Sequence, residues 1–340
     1  MTAFRKTIFA LAAGAATMVA SGQAQTLDEV SFATNWLAQA EHGGFYQAVA
    51  DGTYEKNGLN VTIVQGGPTA ANQALLMADK VQFYMQGNLL GSFSAVEQEV
   101  PVVEVAAIFQ KDPQVLIAHP EFEGAAFADL ADLPTLFIAP DLFTSGFQWM
   151  KNAYPGFRDE QVKPYNFSPA PFLADKESAQ QGYLTSEPYS IETEGGFAPK
   201  VFLLADAGFD TPSTMIEAKQ DYVAANPDIV QRFVDASIIG WYNYLYGDNK
   251  AANDLIKTDN PEMTDGQIAY SVEKMKEYGI VDSGAAAEGG IGCLSIDQVK
   301  SFYDKMVAAG VAASVVSVNA VSPRLGSERR RRIRQRREVE

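Results

Sequence analysis

From Val30 onward, short apolar runs of strand length alternate with longer segments whose apolar residues recur at helical spacing. That is the pattern of βα units around a mainly parallel sheet. VSFATNWL reads as a strand and its end, and EHGGFYQAVADGTYEKNG as a helix with Phe45, Val49 and Tyr54 on one side, closed by Gly58. LNVTIVQGG is the next strand. Thr69 to Met77 reads as a helix, VQFYMQG as a strand, NLLGSFSAVEQ as a helix, and PVVEVAAIFQ and QVLIAHP as strands. A second series follows: PTLFIAP as a strand, Thr144 to Tyr154 as a helix, VKPYNFS as a strand, PFLADKESAQQGY as a helix, LTSEPYSIETEG, and a strand at KVFLLADAGF. From Thr211 the chain reads as largely helical, with firm helices at Asn226 to Tyr246 and Ser295 to Gly310.

The elements predict an α/β protein of two lobes, with a hinge near Phe109 to His119 and a return crossing near Val201 to Ala207. Residues 25–118 and 205–312 form the first lobe and residues 119–204 the second. A cleft between two such lobes suits a small ligand. No repeat of 20 to 50 residues interrupts this plan.

The two ends differ from the body. Arg5 and Lys6 precede an apolar stretch from Thr7 to Ala20, then Ser21-Gly22-Gln23-Ala24, the order of a secretory signal peptide over residues 1–24. No cysteine follows that stretch to take a lipid, and the single Cys293 has no intramolecular partner for a disulfide. Export without a lipid site predicts a soluble periplasmic protein. At the other end, residues 313–340 read as a disordered basic tail, because Arg324 to Glu340 holds eight of the eleven arginines without apolar periodicity. A run such as SERRRRIRQRR can bind RNA or anionic lipid, but a solvated end is the plainer expectation.

The formal charge is −16, and without the two ends the body keeps 16 basic and 39 acidic residues, about −23. A body so acidic repels polyanions, so no nucleic-acid partner is expected. Catalytic equipment is sparse. There are two histidines, His42 and His119, and no HExxH, GxSxG, Walker or GxGxxG pattern. Cys293 in GGIGCLS reads as a small filler rather than an activated thiol. No catalytic residue, cofactor or metal is expected.

Polar and aromatic residues instead collect at the carboxyl ends of the expected strands, where open α/β sheets place ligands. Asn35 and Trp36 end the first strand, and His42, Phe45 and Tyr46 open the first helix, whose free amides favour an acceptor while the rings can stack a planar group. Further strand ends contribute Gly67, Gln86, Asn88, Gln110, Thr144, Ser145, Glu187 and Tyr189. The amides of Gln86, Asn88 and Gln110 both donate and accept, which fits the edge of a pyrimidine or amide better than free phosphate. Any one of these residues has a structural alternative: a core aromatic, a turn glycine, a helix cap. Their concentration at strand ends is what points to a neutral or weakly cationic ligand.

The segment NWLAQAEHGGFYQAVADGTYEKNGLNVTIVQGG resembles the opening of the NMT1/Thi5-like family of type II periplasmic substrate-binding proteins, and the resemblance continues through VQFYMQGN, PVVEVAAIFQKDPQVLIA and QQGYLTSEPY. It covers roughly residues 27–310. It implies a type II periplasmic-binding-protein fold and a protein that captures a solute and delivers it to the permease subunits of an ABC importer, acting as a monomer. Relatives of this kind carry sulfonates, nitrate, riboflavin or thiamine-precursor pyrimidines. In the pyrimidine-binding branch the matching residues at the ligand are Asn35, Trp36 and His42, with Glu187 in the place of a second-lobe acid. The expected ligand is a small planar nitrogen heterocycle, a thiamine-precursor pyrimidine or similar. The family also contains a pyrimidine synthase that consumes its own histidine, so an enzyme of thiamine biosynthesis using His42 is the alternative; the CCCFC segment of that enzyme is missing here. Thiaminase I shares the lobe architecture, but Cys293 is not at the position of its cysteine.

Overall fold

The computed structural model describes residues 26–68, 70–314 and 321. The expected signal segment and the arginine-rich run of the tail lie outside the described residues.

Among the described residues ten strands form two five-stranded sheets. The first contains β1 (Asp28–Ala33), β2 (Leu59–Val64), β3 (Phe83–Asn88), β4 (Val102–Phe109) and β10 (Ser213–Lys219), in the order β2-β1-β3-β10-β4. The second contains β5 (Gln114–Ala118), β6 (Thr135–Ile138), β7 (Val162–Pro164), β8 (Ser178–Tyr183) and β9 (Lys200–Leu203), in the order β7-β6-β8-β5-β9. In the first sheet β1 lies parallel to β2 and β3, with Phe32 opposite Ile63 and Phe83, as βα units require. Both sheets are mixed. β10 runs antiparallel between β3 and β4, and β5 antiparallel between β8 and β9.

Two expectations change here. The tail of PFLADKESAQQGY is not helix: a short helix at Ala170–Ala174 gives way to β8, a central strand paired on both sides. Alanine and glutamine suit a helix in isolation, but this run is buried on both faces and its polar side chains are used inside; Gln181 Oε1 accepts the Ala139 amide at 2.8 Å. Likewise STMIEAK, read as part of a helical stretch, is β10, an interior strand of the first sheet between β3 and β4. Consequently β9 still belongs to the second sheet and the return crossing falls on residues 204–212, later than the sequence suggested.

The two crossings run side by side. Residues 110–113 join β4 to β5, and the Asp112 amide donates to the Thr211 carbonyl of the return segment at 3.2 Å. Around the first sheet, the helix Pro227–Tyr246 starts on a proline, which has no amide to lose there, and buries Phe233, Ile238, Trp241 and Tyr244. Phe233 stacks on Phe83 at 4.1 Å between ring centroids, so the helix is seated directly on β3. The expected first helix is broken: a 3-10 turn at Ala40–His42, a helix at Gly43–Ala50 and another at Thr53–Lys56, separated by Gly52 at φ 69°. The helix expected over Thr144 to Tyr154 runs Gly146–Ala153, and a short helix Pro140–Phe143 precedes it, leaving Thr144 and Ser145 between the two.

Candidate functional site

A cavity of about 470 Å³ separates the two sheets' strand ends. Its first-lobe wall includes Asn35 at the end of β1, Gln86 to Asn88 at the end of β3 and Ser94 of the helix Leu89–Glu97; its second-lobe wall is Gln114, Asp141, Thr144, Ser145 and Tyr183. Local geometry fixes the first wall. Gly66 lies so close to the β1 end that a Cβ there would meet the Thr34 carbonyl oxygen at 2.5 Å and Asn35 carbonyl carbon at 2.6 Å, so the loop after β2 presses Asn35 into place. Asn88 caps the next helix, its Oδ1 accepting the Leu90 amide at 3.0 Å. Gln86 reaches the cavity wall with its amide already used: Nε2 donates to Glu217 at 3.3 Å and Oε1 accepts the Gly87 amide at 2.8 Å.

Beside the cavity the lobes touch through rings. Trp36 meets Phe167 of the second lobe at 4.7 Å between centroids, and Tyr165 stands 5.2 Å from Phe167. Phe167 is 45% exposed and holds φ 61°, unusual for a bulky side chain, so its ring is displayed at a conformational cost. The Tyr165 hydroxyl donates to Glu187 at 3.4 Å, and Glu187 accepts the Tyr183 amide at 2.6 Å. Tyr189 packs on Tyr270 at 5.5 Å, a second ring contact from the helix Glu187–Gly195 to the helix Asp265–Glu277.

The site is acidic. Burial raises Glu41 to about 7, offset in part by the Thr185 hydroxyl that donates to it across the lobes. Burial raises Asp112 to about 7 and also lifts Glu187 above the ordinary carboxylate range. The Tyr183 hydroxyl is pushed up by burial and then by the charges of Asp112, Asp141, Glu41 and Glu187. Behind Gln86, the buried pair Glu104 and Glu217 sit opposite each other on β4 and β10; burial raises both, and at Glu104 the Glu217 charge adds to it. No lysine or arginine lines the cavity among the described residues.

Other sequence-predicted positions lie elsewhere. Phe45 is fully buried against Phe32 at 4.5 Å and Trp241 at 5.8 Å, which makes it core. Tyr46 is 3% exposed and its hydroxyl donates to Asp259 at 2.7 Å, a tie between helices. Gln110 is buried at the first crossing, where Nε2 donates to the Ala107 and Cys293 carbonyls at 2.8 and 2.9 Å; its work there is holding the crossing to the Cys293 loop. His42 is 1% exposed, burial pushes it down to about 3, and so its imidazole is neutral with Nδ1 unpartnered. Gly67, with φ 155°, faces Leu37 in the loop behind Trp36. Sequence reasoning passed over Phe167, Glu41, Asp112, Gln114 and Asp141. Only Asp141, in the helix-opening APDLF, carried a local signal; the rest become visible once the crossings bring the lobes together. Among the described residues no group of three or more His, Cys, Asp or Glu side chains is placed to hold a metal ion.

Two mixed α/β sheets joined by two crossings, with strand ends facing a cleft, define a type II periplasmic-binding-protein fold of two lobes. The family model described as NMT1/THI5 like matches residues 39–251, and the chain belongs to that family. Riboflavin-binding protein RibY of Chloroflexus aurantiacus is 25% identical over 264 residues, 74% of this chain and 72% of that protein. Among solved structures, the alkanesulfonate-binding protein SsuA from Xanthomonas axonopodis pv. citri matches at TM-score 0.61 and 14% identity, over 86% of this chain and 97% of that one. The periplasmic nitrate-binding protein NrtA from Synechocystis PCC 6803 matches at TM-score 0.59 and 13% identity, over 92% and 90%. The desulfurization enzyme DszB shares the fold as well, at TM-score 0.57 and 11% identity over 91% and 99%. Binding proteins thus make up most of these neighbours.

Proposed function

We propose that the chain is a periplasmic solute-binding protein of an ABC importer and that it captures a small planar nitrogen heterocycle, a thiamine-precursor pyrimidine or a related ring, by closing its lobes on it. The observation that carries this reading is the cleft's lining: rings presented from both lobes by Trp36 and Phe167, beside a cavity walled by amides, hydroxyls and carboxylates with no cationic side chain among the described residues. Sulfonate or nitrate would have to be held beside Asp141 with no cationic side chain among the described lining residues, a costly arrangement for an anion in a partly buried site. A ring or amine that donates hydrogen bonds meets the acceptors it needs. RibY supports the same direction, since its ligand is a fused nitrogen heterocycle. Asn35, Asn88, Thr144 and Ser145 supply edge contacts, Trp36 a stacking face, and Glu187 an acceptor behind Tyr165.

Trp36 and Phe167 are too close for a ring to lie between them; a sandwich needs about 7 Å, twice the optimal separation of carbon atoms. Binding therefore opens and recloses this contact, as hinge closure requires. The test is a titration followed by tryptophan fluorescence with 4-amino-5-hydroxymethyl-2-methylpyrimidine, riboflavin, taurine and nitrate. A saturable change with a heterocycle and none with taurine or nitrate is expected. Saturable binding of taurine or nitrate alone would overturn the reading.

A further inference from the structure

The cavity beside the rings has a composition that a flat heterocycle alone does not use. Gln114 is 6% exposed on its wall and its Oε1 has no hydrogen-bond partner. Directly behind, Asp112 is 1% exposed; Oδ1 accepts the Gln114 amide at 2.9 Å and Oδ2 has no partner. Thr144 and Ser145 give their hydroxyl protons to backbone carbonyls, at 3.0 Å to Pro140 and 2.6 Å to Asp141, so toward the cavity they can only accept. Asp141 adds a second carboxylate on the same wall. Two of these acceptors are buried and unsatisfied, and among the described residues no lysine or arginine lines the cavity to balance the carboxylates. Buried acceptors of this kind are matched by a partner when a site is filled.

We propose that this second-lobe wall is a cation subsite, taking a protonated amine or amidinium carried as a substituent on the heterocycle, with Gln114 accepting from it, Asp141 pairing with its charge and Asp112 reinforcing the field from behind. The proposal rests on the reading of the cleft as a heterocycle site and narrows the ligand to an aminoalkyl or amidine derivative. A neutral hydroxyl at the same place satisfies one acceptor and supplies no charge to pair with Asp141.

Isothermal titration calorimetry of the full chain at pH 7 compares a ring-matched pair: 4-amino-5-aminomethyl-2-methylpyrimidine, whose side-chain amine is charged, and 4-amino-5-hydroxymethyl-2-methylpyrimidine, whose substituent is neutral. The aminomethyl compound is expected to bind at least tenfold tighter. Asp141→Asn, at an exposed position that leaves the core intact, is expected to shrink that preference to under threefold; Gln114→Glu is expected to enlarge it. Equal affinities, or tighter binding of the hydroxymethyl compound or of riboflavin, would overturn the cation subsite and leave the heterocycle reading standing. Failure of all three compounds to bind at millimolar concentration would overturn both.

Discussion

Glu41→Gln separates the electrostatics of lobe contact from its geometry. Glu41 is 3% exposed, sits in the turn before the Gly43–Ala50 helix, and accepts the Thr185 hydroxyl from the other lobe. Burial raises its carboxyl from 4.5 to about 7, so the folded protein binds more protons than the unfolded chain between those values. The stabilisation is complete below pH 4.5 and is lost as pH rises through about 7. At about 1.4 kcal/mol per pH unit, Glu41 alone accounts for a loss of about 2–3 kcal/mol between pH 5 and pH 8. Glutamine keeps an oxygen for the Thr185 hydroxyl and removes the titration. Urea unfolding followed by tryptophan fluorescence at pH 5, 6.5 and 8 gives the fall in stability for both proteins. The variant's fall should be smaller by about 2–3 kcal/mol, with the benefit concentrated at pH 8. An identical fall in both proteins, or an equal loss at every pH, would show that Glu41 is ionised in the folded state and refute the reasoning.

Gly66→Ala drives a Cβ into the Thr34 and Asn35 backbone, so it should cost about 1–3 kcal/mol in urea unfolding and weaken ligand binding through Asn35. Gln181→Leu leaves the Ala139 amide, just ahead of the helix that carries Asp141, without its acceptor; a loss of about 1–3 kcal/mol is expected, and an unchanged unfolding midpoint would contradict the bond. Trp36→Ala should lower heterocycle affinity about tenfold, roughly 1.4 kcal/mol, in calorimetry while moving the melting temperature little, because the ring is half-buried at the lobe contact rather than in the core.

What could be read from the chain follows from where each signal resides. β4 is a nearly continuous apolar run, β1 and β2 alternate apolar with polar positions, and the order of these strands with helices announces βα units by itself. β8 and β10 have no such signature, because a central strand with glutamines or a glutamate turned to internal partners looks like a helix until its neighbours are known. The same division holds in the cleft. Asn35, Asn88, Thr144 and Ser145 stand at strand and helix ends, positions that a βα pattern already exposes. Phe45 and Tyr46 follow the same strand end, yet helical geometry turns them into the packing against Trp241 and Asp259. Phe167, Asp112 and Gln114 acquire meaning only from the two crossings, which join residues far apart in sequence.

Native mass spectrometry of the protein purified without denaturation tests the central claim most directly, since a closing cleft retains what it has captured. The account predicts a co-purifying mass that matches an aminoalkyl pyrimidine or related nitrogen heterocycle at one per chain, lost on unfolding. A retained sulfonate or nitrate would contradict it.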